Sequence, residues 1–156
     1  LNGVSKAYSM TGWRIGYAAG PQALIGAMKK IQSQSTSNPT SIAQVAAQAA
    51  LEGQQECVKD MVKVFKQRHD YIVKALNEID GIECLAGDGT FYVFPDFSGM
   101  QAKLKCETDT DLAEKLLEAG VALVPGSAFG TPGHMRISFA TSDENLQKAI
   151  ERLKSA

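Results

Sequence analysis

The sequence predicts a mixed α/β fold, and three observations support this prediction. Residues 55–79 repeat apolar side chains every three or four positions, which is the period of a helix with one buried face. Residues 90–94 are β-branched or aromatic and end at a proline, as is typical of a short strand. A helical pattern at 111–119 is followed directly by the apolar run 121–124, and this order indicates a strand–helix–strand unit.

Composition and charge exclude several classes of partner. The 156 residues are 44% hydrophobic and 21% charged, which is typical of a globular domain with its own core. A net charge of −1 without a basic cluster argues against nucleic acid and membrane surfaces as partners. No apolar run is long enough for a membrane span and no signal-peptide pattern begins the chain, so we expect a cytoplasmic protein.

The cysteines and histidines predict neither a disulfide framework nor a metal site. The three cysteines are odd in number and far apart, and only two histidines accompany them. We therefore expect free thiols in a reducing compartment. The residues in question are Cys57, Cys84, Cys106, His69 and His134.

The first fifty residues predict one strand and two helices. The alternating run 14–18 predicts a short strand. A helix is expected to begin at about Pro21, because proline is favoured in the first helical turn. Its apolar face would consist of Leu24, Ile25, Met28 and Ile31. The Ser-, Thr- and Asn-rich segment 33–41 predicts a loop, and an alanine-rich helix follows at 41–51.

The remaining elements alternate between helices and strands. The long helix ends at an Asp-Gly turn, and residues 82–85 predict a strand before 90–94. Either Thr108 or Thr110 can cap the helix at 111–119, which Gly120 closes. The last helix is expected over 143–153, with Ser142 as its cap.

One segment near the start combines reactive groups. Residues 5–17 read Ser-Lys-Ala-Tyr-Ser-Met-Thr-Gly-Trp-Arg-Ile-Gly-Tyr. A lysine amine can form a Schiff base with a carbonyl group, and a guanidinium holds phosphate oxygens with paired hydrogen bonds. Lys6 and Arg14 together therefore suit a carbonyl cofactor that carries a phosphate. On spacing alone, a surface lysine and a solvent-facing arginine are the more common explanation.

This segment resembles the pyridoxal-phosphate lysine motif of the class I aminotransferases, particularly the bacterial aspartate aminotransferases. The resemblance implies that Lys6 carries pyridoxal 5′-phosphate and acts as the catalytic base and acid, and that Arg14 binds the phosphate. Many members have a serine three positions before the lysine, where this chain has Gly3. Ser5 is the remaining hydroxyl candidate for a phosphate contact. Residues 89–95 and 125–140 resemble the same family.

A second cation, Arg136, lies in the alternating run 135–140, whose odd-numbered residues are apolar. On pattern alone, an arginine on the solvent face of a strand or in an ion pair is the more common explanation. The family resemblance implies instead that Arg136 binds the substrate α-carboxylate, a task that suits the bidentate geometry of the guanidinium.

The resemblance extends over essentially the whole chain and implies the C-terminal part of a fold-type-I pyridoxal-phosphate transferase. Residues 1–52 would be a remnant of the large cofactor-binding domain, and 53–156 the interdomain helix and the small α/β domain. The implied reaction moves an amino group between L-aspartate and 2-oxoglutarate, in a protein that is a homodimer at full length.

Because the reactive lysine comes within six residues of the start, we expect the chain to be a fragment with little activity of its own. Three alternatives stay open. The substrate could be aromatic, prephenate or alanine, the reaction could be that of another pyridoxal-phosphate enzyme, or the chain could be a non-catalytic small-domain fragment.

Overall fold

The computed structural model describes residues 1–156 and confirms a mixed α/β architecture. Seven α-helices, five short strands and two 3₁₀ turns follow one another along the chain. The chain divides into two compact units, Leu1–Met61 and Val62–Ala156. None of the helices combines the length and the apolar character needed to cross a membrane.

The first unit begins with a small antiparallel pair of strands. Strand β1 (Asn2–Gly3) pairs with β2 (Gly16–Tyr17), and the chain between them forms helix α1 (Val4–Ala7) and a 3₁₀ turn (Thr11–Trp13). The strand predicted over 14–18 is therefore too long. It begins only at Gly16 because the preceding turn has to end first.

Two helices complete the first unit. Helix α2 (Gln22–Ser35) runs further than predicted, so the loop expected over 33–41 is confined to 36–40. Helix α3 (Ser41–Glu52) confirms the predicted alanine-rich helix, and its buried alanines pack in a small core. The buried members of this core are Val4, Ile15, Ala43 and Ala47. Helix α2 buries no side chain fully, so its predicted apolar face stays largely exposed.

Helix α4 (Glu56–Asn77) confirms the predicted long helix, with both ends within two residues of the expected positions. It begins in the first unit and continues into the second. Its fully buried residues lie near its C-terminal end, namely Ile72, Ala75 and Leu76. This end of the helix joins the main core of the second unit.

The second unit contains a three-stranded sheet in the order β3 (Tyr92–Val93), β5 (Met135–Ser138), β4 (Val124–Pro125). Strand β5 is antiparallel to both neighbours, so β3 and β4 are parallel to each other with β5 between them. Helices α5 (Ser98–Lys103) and α6 (Asp109–Glu118) connect β3 to β4. The predicted strand–helix–strand unit is therefore present in a split form.

Other predicted strands are also shorter than expected. The run 90–94 forms a strand only at Tyr92–Val93. Residues 82–85 form only a single bridge, between Glu83 and Asp96. The run 121–124 becomes a strand only at Val124, although Val121 is buried in the core. Apolar sequence predicted burial correctly here, but burial alone does not supply a hydrogen-bonded neighbour.

The helix caps follow local sequence closely. The Thr108 hydroxyl caps α6 and forms a capping box with Asp111, so Thr108 rather than Thr110 is the cap. Gly120 follows the helix at φ +83°, which is the left-handed geometry that glycine adopts most easily. Helix α7 (Asp143–Ser155) is capped by Ser142, as predicted.

Candidate functional site

Residues 5–14, which we call the Lys6 loop, are closed at their base by backbone pairing. The β1–β2 ladder continues into a hydrogen bond of 3.4 Å from the Val4 N–H to the Ile15 carbonyl. Val4 and Ile15 are both buried, so the loop is anchored to the core at both ends. Lys6 lies on α1 near the start of the loop, and Arg14 is the last residue of the loop.

Hydrogen bonds within the loop give it a defined backbone. The Ser9 N–H donates to the Lys6 carbonyl at 3.2 Å, and the Met10 N–H donates to the Ser5 carbonyl at 3.1 Å. The Trp13 N–H donates in turn to the Met10 carbonyl at 3.2 Å. The backbone that carries Lys6 is therefore held in a turn.

A contact that sequence reasoning missed ties this loop to the end of α3. The Tyr8 hydroxyl donates to Gln55 Oε1 at 2.8 Å. The amide nitrogen of Gln55 in turn donates to the carbonyls of Gly53 and Ala50, at 2.7 and 3.1 Å. Tyrosine and glutamine 47 positions apart carry no local signal of this pairing.

Lys6 and Arg14 are both exposed residues, whereas Ser5 is half-buried. Arg14 has φ 54° and ψ 44°, in the left-handed region, and therefore does not belong to the strand on which it was predicted. Its Nη1 donates to the Thr11 carbonyl at 3.1 Å. A guanidinium has five N–H donors, so most of the donors of Arg14 are left for a ligand.

Gly3 occupies the position at which the resembled family often has serine. A Cβ there would lie 3.0 Å from the Ile15 carbonyl oxygen, in the β1–β2 pair. A side chain would require this pair to separate by a few tenths of an ångström. The chain thus offers no hydroxyl at residue 3, and Arg14 and Ser5 are its candidate phosphate ligands.

These groups fit a ligand with an aldehyde and a phosphate. Lys6 carries a primary amine and Arg14 a guanidinium, and both residues lie on one hydrogen-bonded loop. The amine supplies a nucleophile for a carbonyl carbon, and the guanidinium supplies charge-assisted hydrogen bonds to phosphate oxygens.

The second predicted cation, Arg136, lies on β5 in the second unit, apart in sequence from the Lys6 loop. Its guanidinium carbon lies 4.7 Å from the centroid of the Tyr92 ring and 4.8 Å from that of Phe129. The side chain is half-buried and makes no ion pair within the chain. Cation–π contacts therefore hold a guanidinium whose charge is not neutralised by a carboxylate.

Further rings pack next to Phe129. The Phe94 ring meets the Phe129 ring edge-on at 6.0 Å and lies 5.2 Å from the His134 ring. His134 Nδ1 is buried and has no hydrogen-bond partner in the structure. The ring of Phe129, over which the Arg136 guanidinium stands, therefore belongs to a larger aromatic cluster.

The turn that carries Phe129 is tightly built. Residues Gly126–Phe129 form a 3₁₀ turn, and the Gly126 N–H donates to the His134 carbonyl at 2.7 Å. A Cβ on Gly126 would lie 2.2 Å from the Thr131 carbonyl oxygen, so only glycine fits there without movement. The packing of this turn beside Arg136 is visible only in the structure.

A buried carboxylate, Asp109, supports the same turn and was not singled out from the sequence. It is 4% exposed, and its Oδ2 accepts a hydrogen bond of 2.7 Å from the Ser127 N–H. Burial raises its pKa, but hydrogen bonds from Ser127, Gly133 and Thr110 outweigh burial and leave the pKa below its usual value. Asp109 is therefore ionised at neutral pH.

Comparison with known proteins gives a consistent set of relatives. The family model described as aminotransferase class I and II matches residues 1–153. An aspartate/prephenate aminotransferase of Nitrosomonas europaea is 54% identical over 99% of this chain, and an aspartate aminotransferase of Rhizobium meliloti is 51% identical over 100%. A crystal structure of aspartate aminotransferase from Rhizobium meliloti matches 99% of the chain with a TM-score of 0.92 and 50% identity. The chain spans 41%, 40% and 40% of the lengths of these three proteins.

Proposed function

Because the chain belongs to the class I and II aminotransferase family, whose enzymes use pyridoxal phosphate, we propose that it is part of an enzyme that transfers amino groups. The proposed donor is L-aspartate and the proposed acceptor is 2-oxoglutarate. The observation that carries this proposal is that Lys6 and Arg14 lie on the same hydrogen-bonded loop. The names of the two curated relatives support aspartate as the substrate.

We assign Lys6 two roles. Its Nζ would bond the cofactor until the substrate amine takes its place, and the amine of Lys6 released in this way would remove the proton from the substrate Cα and return a proton to complete the transfer. When bound, pyridoxal phosphate supplies an electron-poor ring that accepts the electron pair left at Cα. The turn that holds the backbone of Lys6 limits where Nζ can reach, which is the contribution of positioning to catalysis.

Arg14 and Ser5 are the proposed phosphate ligands, and Arg136 is the proposed ligand of the substrate α-carboxylate. Both arginines suit an anion because a guanidinium pairs with carboxylate or phosphate oxygens through two parallel hydrogen bonds. Arg136 makes no ion pair within the chain and is held by rings.

We also propose that residues 1–52 belong to a large cofactor-binding domain and 53–156 to an interdomain helix and small domain, in a homodimeric enzyme. Helix α4 is the proposed interdomain helix because it contributes to both compact units. A second candidate substrate is prephenate, which the printed name of the Nitrosomonas europaea relative includes.

The first experiment tests Lys6 directly in this chain. The purified chain is incubated with pyridoxal phosphate, reduced with borohydride and mapped by peptide mass spectrometry. We expect the pyridoxyl group at Lys6 and its loss in Lys6→Arg, whereas Lys29→Arg on exposed α2 is the matched control and leaves the label in place. Labelling spread evenly over surface lysines would contradict a formed cofactor site in this chain.

The second experiment tests the activity in a chimera, in which this chain replaces the matching segment of the Rhizobium meliloti aspartate aminotransferase. We expect turnover of L-aspartate with 2-oxoglutarate, and its loss in Lys6→Ala. Relative kcat/KM values for 2-oxoglutarate and prephenate, with L-aspartate as the donor, decide between the two amino acceptors. A chimera that binds the cofactor but transfers no amino group from L-aspartate to either acceptor would overturn the proposal.

A further inference from the structure

Asp109 is a buried acidic side chain that the proposed reaction does not use. It is the first residue of α6 and is 4% exposed. A buried carboxylate is costly unless its oxygens accept hydrogen bonds. The Asp109 Oδ2 accepts a hydrogen bond of 2.7 Å from the backbone N–H of Ser127.

This hydrogen bond joins two parts of the second unit. Asp109 is in α6, whereas Ser127 lies in the 3₁₀ turn. The carboxylate thereby links the start of α6 to the segment 126–134. Capping of α6 does not need this link, because Thr108 and Asp111 already form its capping box.

The turn that contains Ser127 also carries a ring that contacts Arg136. Phe129 lies in the same turn, two residues after Ser127, and the Arg136 guanidinium stands over its ring at 4.8 Å. The Gly130 N–H donates to the Ser127 carbonyl at 3.1 Å, which closes the turn around Phe129. A change at Ser127 is thus transmitted to Phe129 through a short, hydrogen-bonded stretch of backbone.

We propose that Asp109 is a positioning residue for Arg136. By accepting the hydrogen bond from the Ser127 N–H, it fixes the turn whose Phe129 ring packs against the Arg136 guanidinium. The effect of Asp109 on substrate binding rests on the proposed function of Arg136, but the positioning of Arg136 can be measured without substrate.

The test uses the Arg136 Nε–Hε resonance of the isotope-labelled full chain in solution. Ring currents of Phe129 and Tyr92 displace this resonance from the position of an unstacked arginine. The change of this resonance in Phe129→Leu measures how much of the displacement comes from the Phe129 ring. We expect Asp109→Asn to remove at least half of the displacement due to Phe129, because an uncharged amide accepts a weaker hydrogen bond from the Ser127 N–H than a carboxylate does.

The matched control is Asp111→Asn. Asp111 lies two residues further along the same helix, accepts the Thr108 N–H at 2.8 Å, is exposed and does not contact the turn. We expect the Arg136 resonance to be unchanged in this variant. An Arg136 resonance at the wild-type position in folded Asp109→Asn would overturn the proposal.

A second variant changes the turn and keeps Asp109. Ser127→Pro removes the N–H donor, leaves Asp109 in place, and puts proline in the first turn of a helical segment, where it is tolerated. We expect the same direction of change at Arg136. If Asp109→Asn and Ser127→Pro both unfold the chain, Asp109 serves stability alone and the positioning proposal fails.

Succinate, a simple dicarboxylate, separates this inference from the proposed function. We expect succinate to shift the Arg136 resonance of the wild-type chain and to bind more weakly to Asp109→Asn. If succinate has no effect on the wild type while Asp109→Asn still displaces the resonance, Asp109 positions Arg136 but the carboxylate role of Arg136 is wrong.

Discussion

The guanidinium of Arg136 stands 4.7 Å from the centroid of the Tyr92 ring, across the boundary between strands β5 and β3. The register pairs Tyr92 with Ser138, so Arg136 is its diagonal neighbour, two residues along the facing strand. Long and aromatic side chains reach each other across such diagonals. The sheet register therefore decides that this arginine rests on an aromatic ring.

Tyr92→Leu should weaken the binding of carboxylates at Arg136. A cation–π contact contributes about 0.5–1 kcal/mol, so we expect roughly a two- to fivefold higher dissociation constant for succinate. Tyr92→Phe keeps the ring and should bind within about twofold of the wild type. The measurement is an NMR titration of the chain, and equal affinity in the Leu variant would show that the ring does not support the cation.

Arg14→Gly should separate backbone strain from ligand binding. A non-glycine residue in the left-handed region costs about 1 kcal/mol, and glycine has a similar entropic cost, so the free energy of unfolding should change by less than about 1 kcal/mol. Loss of charge-assisted hydrogen bonds of about 1.5–3 kcal/mol should weaken pyridoxal phosphate binding roughly 10- to 100-fold.

The matched variant Arg14→Lys keeps the charge but not the paired donors, and should lie between the wild type and Arg14→Gly. Cofactor binding is measured by absorbance titration of the chimera. Unchanged cofactor affinity in Arg14→Gly would remove Arg14 from the phosphate site.

Leu116→Ala and Leu117→Ala should differ sharply although the residues are adjacent. Leu116 is fully buried against the core of the second unit, whereas Leu117 is 58% exposed. Truncating a buried leucine costs about 2–5 kcal/mol, while an exposed substitution usually changes stability by less than about 0.5 kcal/mol. Urea unfolding measures both, and similar losses would mean that the helix face is assigned wrongly.

Stability should fall in acid partly through Asp96. Hydrogen bonds from the Ser98 side chain and backbone, the latter at 2.7 Å, hold the pKa of Asp96 below its usual value, with a smaller contribution from the charge of His134. A carboxyl with a lowered folded-state pKa contributes stability that is complete above its unfolded pKa of about 3.9 and is lost as pH falls through the folded value. Below about pH 4, we expect the free energy of unfolding to fall less steeply with decreasing pH in Asp96→Asn than in the wild type. Urea midpoints measured across this range test it, and parallel curves for the two proteins would contradict it.

Cys84 and Cys57 should differ in thiol reactivity. Burial raises the pKa of the Cys84 thiol to about 11, whereas Cys57 is exposed. Because the thiolate is the reactive form, a thiol reagent at mildly alkaline pH should modify Cys57 and spare Cys84 until the chain unfolds. Mass mapping with and without urea distinguishes them, and Cys57→Ser removes the fast site as the control. Fast modification of Cys84 in the folded chain would show that its burial is incorrect.

The helices were predictable because their signals are local. The spacing of apolar residues located α4 within two residues at each end, and Ser142 was recognised as the cap of α7. Alternation along β5 also predicted its two faces, since Met135 and Ile137 are buried and Arg136 lies on the other side. Each of these patterns depends on neighbours within one or two turns, or within one strand.

The strands were less predictable because a strand needs a partner that is distant in sequence. Arg14 was expected on a strand, but the 3₁₀ turn and the pairing with β1 place it in the left-handed region instead. Residues 82–85 have strand-like composition, yet only Glu83 finds a bridge partner. Pairing and register are properties of the assembled sheet.

By itself the sequence determined the helix pattern, the resemblance of residues 5–17 to a cofactor lysine motif, and the choice of Lys6, Ser5, Arg14 and Arg136 as candidates. Only the tertiary structure decided what surrounds them. Asp109 and Phe129 come from separate elements, and folding alone joins Asp109 to the turn whose Phe129 ring contacts Arg136. Spacing along a chain records contacts over a few residues, whereas the environment of a charge depends on which distant segments pack around it.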